Sequence, residues 1–429
     1  MIDQLNEPSR RTSLEYVLLG VAGLFLATNG IALSLVNSGG IRWEQLRLIA
    51  LWLIVITTAT YLLRRFAPEH DPILFALYAF LTGWGLILQD RLAPAFTGRH
   101  QLWFTLATAL LVAVTILPRS LSIIRRYRYT LLIGGIALLA LTLFLGVNPV
   151  GAGAALWLPI PLIAAYFQPS ELLKVLFIFF FASYFADRGR IITAKQEHSF
   201  WYSLPYLLPL FAMWGFCVLL LVWQQDLGAA SIFFVLFLSM LFTATGKRRY
   251  LVVGLVLLIA AGFIGYAAYD LIALRIDAWL NPWPNVFDRS FQVVQSLYAL
   301  AAGGVVGGGV GQGFPTFIPV VHSDFVFAAI AEEWGLLGSL GVVACFAMLA
   351  QRGLRIALLS KTAFRTYVGV GIVVLISVQA FLIMGGVTKL LPLTGVTLPL
   401  LSYGGSSLMM VSGMIGLLLF LSRSAEPSI

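Results

Sequence analysis

Long apolar runs separated by short polar segments dominate the pattern of the chain. A helix that crosses a bilayer needs about 20 apolar residues, with a range of roughly 17 to 25. None of the runs shows the alternating pattern of a membrane β-barrel. The pattern therefore predicts an all-α, polytopic transmembrane helical bundle of about twelve spans. The twelve predicted spans are 14–36, 46–63, 72–89, 101–118, 129–147, 171–186, 204–222, 228–244, 249–269, 325–350, 366–386 and 405–422.

The composition excludes a soluble protein. Hydrophobic residues make up 60% of the chain and charged residues only 10%, whereas soluble proteins average about half and about a quarter. Too few polar side chains remain to cover so much apolar surface. The two cysteines, Cys217 and Cys345, lie in apolar runs, so neither a disulfide framework nor a zinc-type spacing is indicated. The first apolar run continues past the core of a secretory signal peptide, which predicts a retained first span.

Basic residues predict the orientation of the spans. With the N-terminus in the cytoplasm, alternate assignment places 19 of the 27 Lys and Arg residues on the cytoplasmic side and 7 outside, with Lys174 inside a span. This bias follows the positive-inside rule, so we expect both termini in the cytoplasm. The net charge of +9 then needs no nucleic-acid partner. Residues 270–324 form a 55-residue outer loop, and long connections in compact proteins are usually functional or disordered.

Three polar motifs interrupt the apolar runs. Glu171 and Lys174 lie three residues apart on one helix face and can pair, either as a structural ion pair or as a polar site that faces a cavity. Asp226 lies in a polar break that suits a turn. The glycine-rich stretch 303–313 lacks the spacing of a nucleotide-binding loop. It favours a flexible or closely packed segment at the membrane surface.

A group of acids marks the start of the tenth span. Asp324 can cap that helix and complement its dipole. On a continuous helix Glu332 lies roughly 12 Å further along the axis. It is then inside the bilayer together with Glu333, where a carboxylate costs roughly 2.5–3.5 kcal/mol. Because adjacent acids cannot both be caps, we expect a polar cavity that opens outward beside this helix.

Residues 386–408 interrupt the apolar C-terminal region with two prolines, four glycines and a run of hydroxyl side chains. Non-helical backbone at membrane depth is tolerated only where protein buries it or where it lines a cavity. The pattern therefore predicts a re-entrant segment beside the same cavity.

The run from Gly395 to Leu408, Gly-Val-Thr-Leu-Pro-Leu-Leu-Ser-Tyr-Gly-Gly-Ser-Ser-Leu, resembles the C-terminal signature of the SEDS family, the RodA, FtsW and SpoVE type of bacterial membrane protein. The resemblance covers about residues 146–423. We interpret 1–145 as an N-terminal segment of five spans and 424–429 as a short cytoplasmic tail. The family usually has ten spans, which implies two added at the N-terminus. Further matching motifs, in the family's order, are Gln168-Pro169-Ser170-Glu171, Asp226-Leu227-Gly228, Asn281-Pro282, Gln292 with Gln295-Ser296-Leu297, His322-Ser323-Asp324-Phe325, and Glu332-Glu333 followed by Gly335.

The resemblance implies an inverting peptidoglycan glycosyltransferase of the bacterial cytoplasmic membrane. Such an enzyme polymerises lipid II at the outer face, among the membrane lipids and with a class B penicillin-binding protein. The family's essential aspartate matches Asp324, and Trp157 resembles a tryptophan of its earlier outer loop. The chain has Leu156 where the family often has arginine and Val320 where it often has glutamate. These departures put the roles of those two positions in question, but not the role of Asp324.

The chemistry agrees with this interpretation, because one carboxylate can act as the general base that takes the proton of the attacking sugar hydroxyl. The leaving diphosphate needs positive charge, which Arg275, Arg289, Lys389 or a divalent cation such as Mg²⁺ or Mn²⁺ would supply. No cofactor is otherwise expected. Ser406 and Ser407 join Trp157 and the three cationic residues as predicted substrate contacts. The predicted structural or cavity-lining residues are Glu171, Lys174, Asp226, His322, Glu332 and Glu333.

Two other functions stay open at this point. A flippase for a lipid-linked precursor would share the bundle, the intramembrane charges and the broken segment, although no clear internal hydropathy repeat is visible. A scaffold for cell-wall partners would leave the intramembrane acids unexplained. The sequence does not separate roles in elongation, division or sporulation.

Overall fold

The computed structural model of the chain describes residues 8–118, 120–148, 154–160, 165–193 and 200–423. These residues form sixteen α-helices and one short antiparallel β-hairpin. The helices are α1 (Pro8–Ser38), α2 (Trp43–Phe66), α3 (Pro72–Leu92), α4 (Thr97–Ile116), α5 (Ser122–Arg126), α6 (Arg128–Leu145), α7 (Pro169–Thr193), α8 (Phe200–Trp223), α9 (Leu227–Thr245), α10 (Arg249–Ala268), α11 (Asp270–Leu280), α12 (Phe291–Gly303), α13 (Val321–Asp324), α14 (Val326–Leu358), α15 (Ala363–Val387) and α16 (Gly405–Ser422).

Every predicted span falls on one of these helices, and the all-α membrane bundle is confirmed. In the described part of the chain, eleven helices are long and apolar enough to cross a membrane. The remaining predicted span lies on α8, in which Leu208–Trp223 forms a shorter apolar helix. The chain is therefore a multi-pass membrane protein. The N-terminal residues 1–7 and the predicted tail 424–429 lie outside the described residues.

Local sequence signals explain where several helices begin and end. The side chain of Asp71 accepts a backbone N–H from the first turn of α3, and Pro72 occupies the first helical position. Asp226 caps α9 in the same way. Gly246 ends α9 in the left-handed conformation, with φ 67°, which glycine adopts without the steric cost of a Cβ.

The chain forms two compact units, each built from separated parts of the sequence. The first contains the residues up to Leu117, Asp270–Arg352 and Gln379–Arg423. The second contains Pro118–Tyr269 and Gly353–Val378. Helix α15 therefore contributes to both units. The division predicted at residue 146 stays a prediction.

Helix α3 is the most deeply buried helix of the first unit and packs against α1, α4 and α16. The indole N–H of Trp52 on α2 donates to the carbonyl of Ala79 on α3 at 3.0 Å. Helices α4 and α16 approach so closely that a Cβ at Gly416 would lie 2.6 Å from the backbone oxygen of Leu111. Small residues at such crossings let helix backbones approach each other within a membrane.

Helix α7 carries the core of the second unit. Phe177, Phe181 and Phe185 recur every fourth residue and are buried, so they lie on one helix face. Phe233 and Phe237 of α9 pack against this face, with ring centroids 5.1 Å from Phe177 and 5.6 Å from Phe181. In the same unit, Leu158–Ile160 and Ala165–Phe167 form the β-hairpin.

Helix α14 contains a break, and the glycine-rich stretch forms hydrogen bonds with the backbone groups around it. Gly335 has φ 68° and ψ −164°, so the helix is interrupted there. A helix break inside a membrane leaves backbone groups that need other partners. The stretch 303–313 provides them through its own backbone. The bonds run from Gly308 N–H to the Glu332 carbonyl (2.9 Å), Gly309 N–H to the Glu333 carbonyl (3.0 Å), Leu336 N–H to the Gly304 carbonyl (3.0 Å) and Leu337 N–H to the Val305 carbonyl (3.1 Å).

Close contact with α14 explains two of the glycines in this stretch. A Cβ at Gly303 would lie 1.8 Å from the carbonyl oxygen of Ala331, and one at Gly307 would lie 2.3 Å from that of Glu333. Of the two interpretations of the stretch, close packing is therefore the one that the structure supports.

The assumption of one continuous helix through Asp324 and Glu332 is wrong. Asp324 ends the separate helix α13, and Phe325, with φ −122° and ψ 20°, interrupts the chain before α14. A polar residue before an apolar run also suits the first turn of one continuous helix, and the sequence therefore did not reveal the interruption. The axial separation of roughly 12 Å expected for one continuous helix therefore does not apply.

Candidate functional site

Asp324 lies at the C-terminal end of α13, in the first unit. Its side chain is half-buried, and the hydroxyl of Ser323 donates to Oδ1 at 2.6 Å. Burial raises the pKa of the Asp324 carboxyl above its ordinary value, and the Ser323 hydrogen bond and the positive charge of Arg275 partly oppose this rise. A carboxylate with a raised pKa is a better proton acceptor at neutral pH than an ordinary aspartate.

Backbone contacts fix the short helix that carries Asp324. The carbonyl of His322 accepts the backbone N–H of Tyr403 at 2.8 Å and the side-chain amide of Gln89 at 3.1 Å. The hydroxyl of Ser402 donates to the carbonyl of Ser323 at 2.5 Å. Two of these three donors belong to the non-helical segment between α15 and α16. The re-entrant segment predicted from the sequence therefore holds the candidate base in place.

Arg275 on α11 faces the same segment. Its Nη1 donates to the carbonyl of Thr394 at 3.3 Å. A Cβ built on the next residue, Gly395, would lie 3.6 Å from Arg275 Nη2 and 3.6 Å from Asp324 Oδ2. The guanidinium and the carboxylate therefore face a common small gap above an exposed glycine. We call this space the Gly395 gap.

Lys389 is attached to the helix that carries Arg275. Its Nζ donates to the carbonyl of Leu280 at 3.4 Å, and the indole N–H of Trp279 donates to the Lys389 carbonyl at 3.2 Å. Lys389 has φ 60°, and Leu400 in the same segment has φ 66°. Left-handed conformations at residues other than glycine concentrate at functional sites, where surrounding contacts maintain them.

The two serines predicted to bind substrate are buried in the first turn of α16. The hydroxyl of Thr397 donates to Ser407 Oγ at 3.0 Å, and the amide of Gln379 donates to the Thr397 carbonyl at 3.0 Å. These bonds connect α15, the re-entrant segment and α16. Ser407 thus helps to fix the segment, while substrate contacts of Ser406 and Ser407 stay predictions.

Two further predicted substrate residues are not brought to the Gly395 gap by any contact that the structure shows. Arg289 has an exposed side chain (67%) and lies 3.9 Å from Asp288. Trp157 belongs to the second unit, where its backbone pairs with Val147 beside the β-hairpin. Their roles stay predictions.

Glu332 and Glu333 hold the glycine-rich stretch against α14. Glu332 Oε1 accepts the backbone N–H of Phe314 at 2.7 Å. Glu333 forms an ion pair with Arg91 Nε at 3.0 Å, and Arg91 Nη2 donates to the carbonyl of Gly313 at 2.8 Å. Sequence reasoning missed Arg91. An arginine at the predicted outer end of an otherwise apolar span was the available signal.

His322 packs in an aromatic cluster beside the site. Its ring centroid lies 5.4 Å from that of Phe96 and 5.8 Å from that of Tyr403, and the rings of Phe96 and Tyr403 are stacked at 5.1 Å. Burial lowers the pKa of His322, which favours the neutral imidazole at pH 7. This cluster was not predicted from the sequence.

The second unit contains a separate polar cluster. Lys174 Nζ lies 2.7 Å from Glu171 Oε2, and both side chains are buried. Asp226 Oδ1 accepts the backbone N–H of Ala229 at 3.0 Å, and the Ser170 hydroxyl donates to Oδ2 at 3.4 Å. Burial raises the pKa of Asp226, against the opposing effects of the Ala229 N–H and the Lys174 charge. The Lys174 charge therefore pairs with Glu171 and also acts on Asp226.

Divalent cations such as Mg²⁺ and Mn²⁺ prefer several oxygen ligands. Among the described residues, no group of three or more His, Cys, Asp or Glu side chains is arranged to hold a metal ion. Arg275 is a protein cation whose charge does act on Asp324.

Comparisons with known proteins agree on one family. The model of a family described as "Cell cycle protein" (FtsW, RodA and SpoVE) matches residues 73–426. The peptidoglycan glycosyltransferase RodA of Mycobacterium leprae is 32% identical over 435 aligned positions, covering 98% of this chain and 92% of that protein. A probable peptidoglycan glycosyltransferase FtsW of Geobacter metallireducens is 36% identical over 300 positions, covering 70% of this chain and 77% of that protein.

A solved structure shows the same similarity in three dimensions. It comes from work on a peptidoglycan synthase complex that coordinates polymerization and crosslinking. It is 28% identical to this chain, with a TM-score of 0.68, and the match covers 83% of this chain and 98% of that one.

Proposed function

Because this chain belongs to the family of FtsW, RodA and SpoVE, we propose that it is a peptidoglycan glycosyltransferase that polymerises lipid II into glycan strands. The observation that carries the proposal is the pair formed by Asp324 and Arg275, which face one accessible gap above Gly395. One group can accept a proton there, and the other can stabilise negative charge.

The two side chains match the two needs of glycosyl transfer from a lipid diphosphate. A sugar hydroxyl attacks the anomeric carbon and gives its proton to the Asp324 carboxylate. The new bond from oxygen to carbon forms as the bond from that carbon to the diphosphate oxygen breaks, which inverts the carbon. The negative charge leaves on the diphosphate, where Arg275 stabilises it. Because this leaving group is already a stable anion, the second carboxylic acid of a glycosidase is not needed.

The proposed location is the outer face of the bacterial cytoplasmic membrane, with both termini in the cytoplasm. The excess of basic residues in the predicted cytoplasmic loops supports this orientation. The proposed partner is a class B penicillin-binding protein that cross-links the new strands. The similarity to a chain from a peptidoglycan synthase complex supports such an assembly.

The test is polymerisation of fluorescent lipid II by the purified full-length protein, alone and together with its cognate penicillin-binding protein. We expect a ladder of glycan strands on a gel. Parallel reactions with a chelator and with added Mg²⁺ or Mn²⁺ decide whether a cation takes part. Transfer of lipid II across vesicle membranes without polymer formation would replace the enzyme by a flippase.

A further inference from the structure

We propose that the empty side-chain position at Gly395 is a determinant of catalysis, because the Gly395 gap is the space in which the junction of sugar and diphosphate is held between Asp324 and Arg275. This inference rests on the proposed function. In this inference, the re-entrant segment forms the wall of the reaction site that faces these two side chains.

The direction of the missing side chain is the first argument. A Cβ at Gly395 would be equally close, at 3.6 Å, to Asp324 Oδ2 and to Arg275 Nη2. That distance is an ordinary van der Waals contact, so neither charged group would block a methyl group there. A substrate atom that contacts both charged groups would lie beside Gly395, where a methyl group on this residue would crowd it.

Accessibility and charge give the second argument. Gly395 is exposed, so a ligand can reach the gap from outside the protein. A carboxylate and a guanidinium on the same gap suit a ligand that has a hydroxyl proton to lose and an anionic oxygen to be stabilised. A sugar linked to a diphosphate brings both groups together.

The anchoring of Arg275 gives the third argument. Its Nη1 donates to the carbonyl of Thr394, the residue before Gly395. Ser402, eight positions after Thr394, donates to the carbonyl of Ser323 beside Asp324. The re-entrant segment thus binds the Arg275 side chain through the Thr394 carbonyl, and it binds the residue before Asp324 through the Ser402 hydroxyl. Its position sets the width of the gap.

The backbone of Gly395 requires a careful control, because its φ of 69° disfavours any other residue. Gly246, at the end of α9, has φ 67° and open space around its missing side chain. Replacement of Gly246 therefore reports the cost of the backbone conformation without any effect on the gap.

The experiment compares alanine and asparagine at both positions. Asparagine tolerates a left-handed conformation better than alanine does, but its side chain is larger. If the gap must stay empty, Gly395→Ala should lower kcat/KM for lipid II polymerisation by about 10²-fold, and Gly395→Asn by more. Gly246→Ala and Gly246→Asn should stay within about twofold of the unmodified protein, since they leave the site unchanged.

The pH profile adds a readout that a purely structural role would not change. A methyl group at position 395 displaces water from beside the Asp324 carboxylate and so disfavours its ionised form. The acid limb of kcat/KM should move to higher pH in Gly395→Ala and stay in place in Gly246→Ala.

Two outcomes would overturn the inference. If Gly395→Asn is more active than Gly395→Ala, the loss of activity is caused by backbone conformation and not by the filled gap. Activity of both Gly395 variants near that of the unmodified protein would show that the gap is not used. Failure of the unmodified protein to form polymer, in contrast, would count against the proposed function itself.

Discussion

The replacement Asp324→Asn separates a catalytic carboxylate from a structural one. Asparagine has the same shape, and its Oδ1 can still accept the hydrogen bond that Ser323 donates at 2.6 Å. It cannot accept the proton of the attacking hydroxyl. Loss of a general base lowers rates by about 10²–10⁴-fold. At about 1.36 kcal/mol per factor of ten, the barrier to polymerisation should rise by roughly 3–5 kcal/mol.

Asp324→Asn should lower activity without lowering the stability of the fold. Burial raises the pKa of Asp324 in the folded protein, so the folded state favours the protonated form. Its contribution to stability is then largest at low pH and is lost as the pH rises from the ordinary value through the raised pKa. At neutral pH the ionised carboxylate opposes folding. We therefore expect Asp324→Asn to melt at the same temperature as the unmodified protein or higher.

The assay measures both quantities on the same preparation. Glycan polymer formed from lipid II reports activity, and the thermal unfolding midpoint at pH 7.5 reports stability. Asp288→Asn is a matched control, because Asp288 is an exposed acid (83%) of the same predicted outer loop. Polymerisation within threefold of the control by a variant with an unchanged midpoint would refute the assignment of Asp324 as the base.

Three further predictions follow from individual contacts. Arg275→Gln removes a positive charge that lowers the pKa of Asp324. The acid limb of the pH profile should therefore move to higher pH, and kcat/KM should fall about 10²-fold. An acid limb that stays in place would contradict this electrostatic role. Lys174→Ala leaves Glu171 buried without its ammonium partner and should destabilise the fold by about 3–5 kcal/mol. The double variant Lys174→Met/Glu171→Gln should recover the lost stability. Lost activity at an unchanged unfolding midpoint would instead make Lys174 part of the site. A cysteine in place of the exposed Arg289 should react with an impermeant maleimide in intact cells, whereas reaction only after permeabilisation would reverse the proposed topology.

The spans were predictable because the bilayer imposes a length and an apolar composition on each helix. The break at Gly335 was not, since a single glycine within a long helical run does not by itself indicate a break. Its backbone partners, Gly304 and Gly308, lie about thirty positions earlier in the chain. The glycines themselves were visible in the sequence, but the helix against which they pack was not.

The candidate site was only partly predictable for a similar reason. Asp324 and the re-entrant segment stand out in the sequence by type and pattern. The Gly395 gap does not, because Arg275, Asp324 and Gly395 come from three distant parts of the chain. One sequence alone does not show which distant residues lie close together in the fold. Arg275 was predicted only as one of several cationic residues on the predicted outer side.

The acids of the first unit differ in what their oxygens already do, and this difference favours Asp324 as the base. Glu332 accepts the N–H of Phe314, and Glu333 is paired with Arg91. Both contacts hold the glycine-rich stretch against the broken helix α14, so a proton gained by either acid would weaken the scaffold. Asp324 has a hydroxyl on one oxygen and the accessible Gly395 gap beside the other. It can therefore be protonated and deprotonated in each cycle without disturbing the contacts that hold the site together.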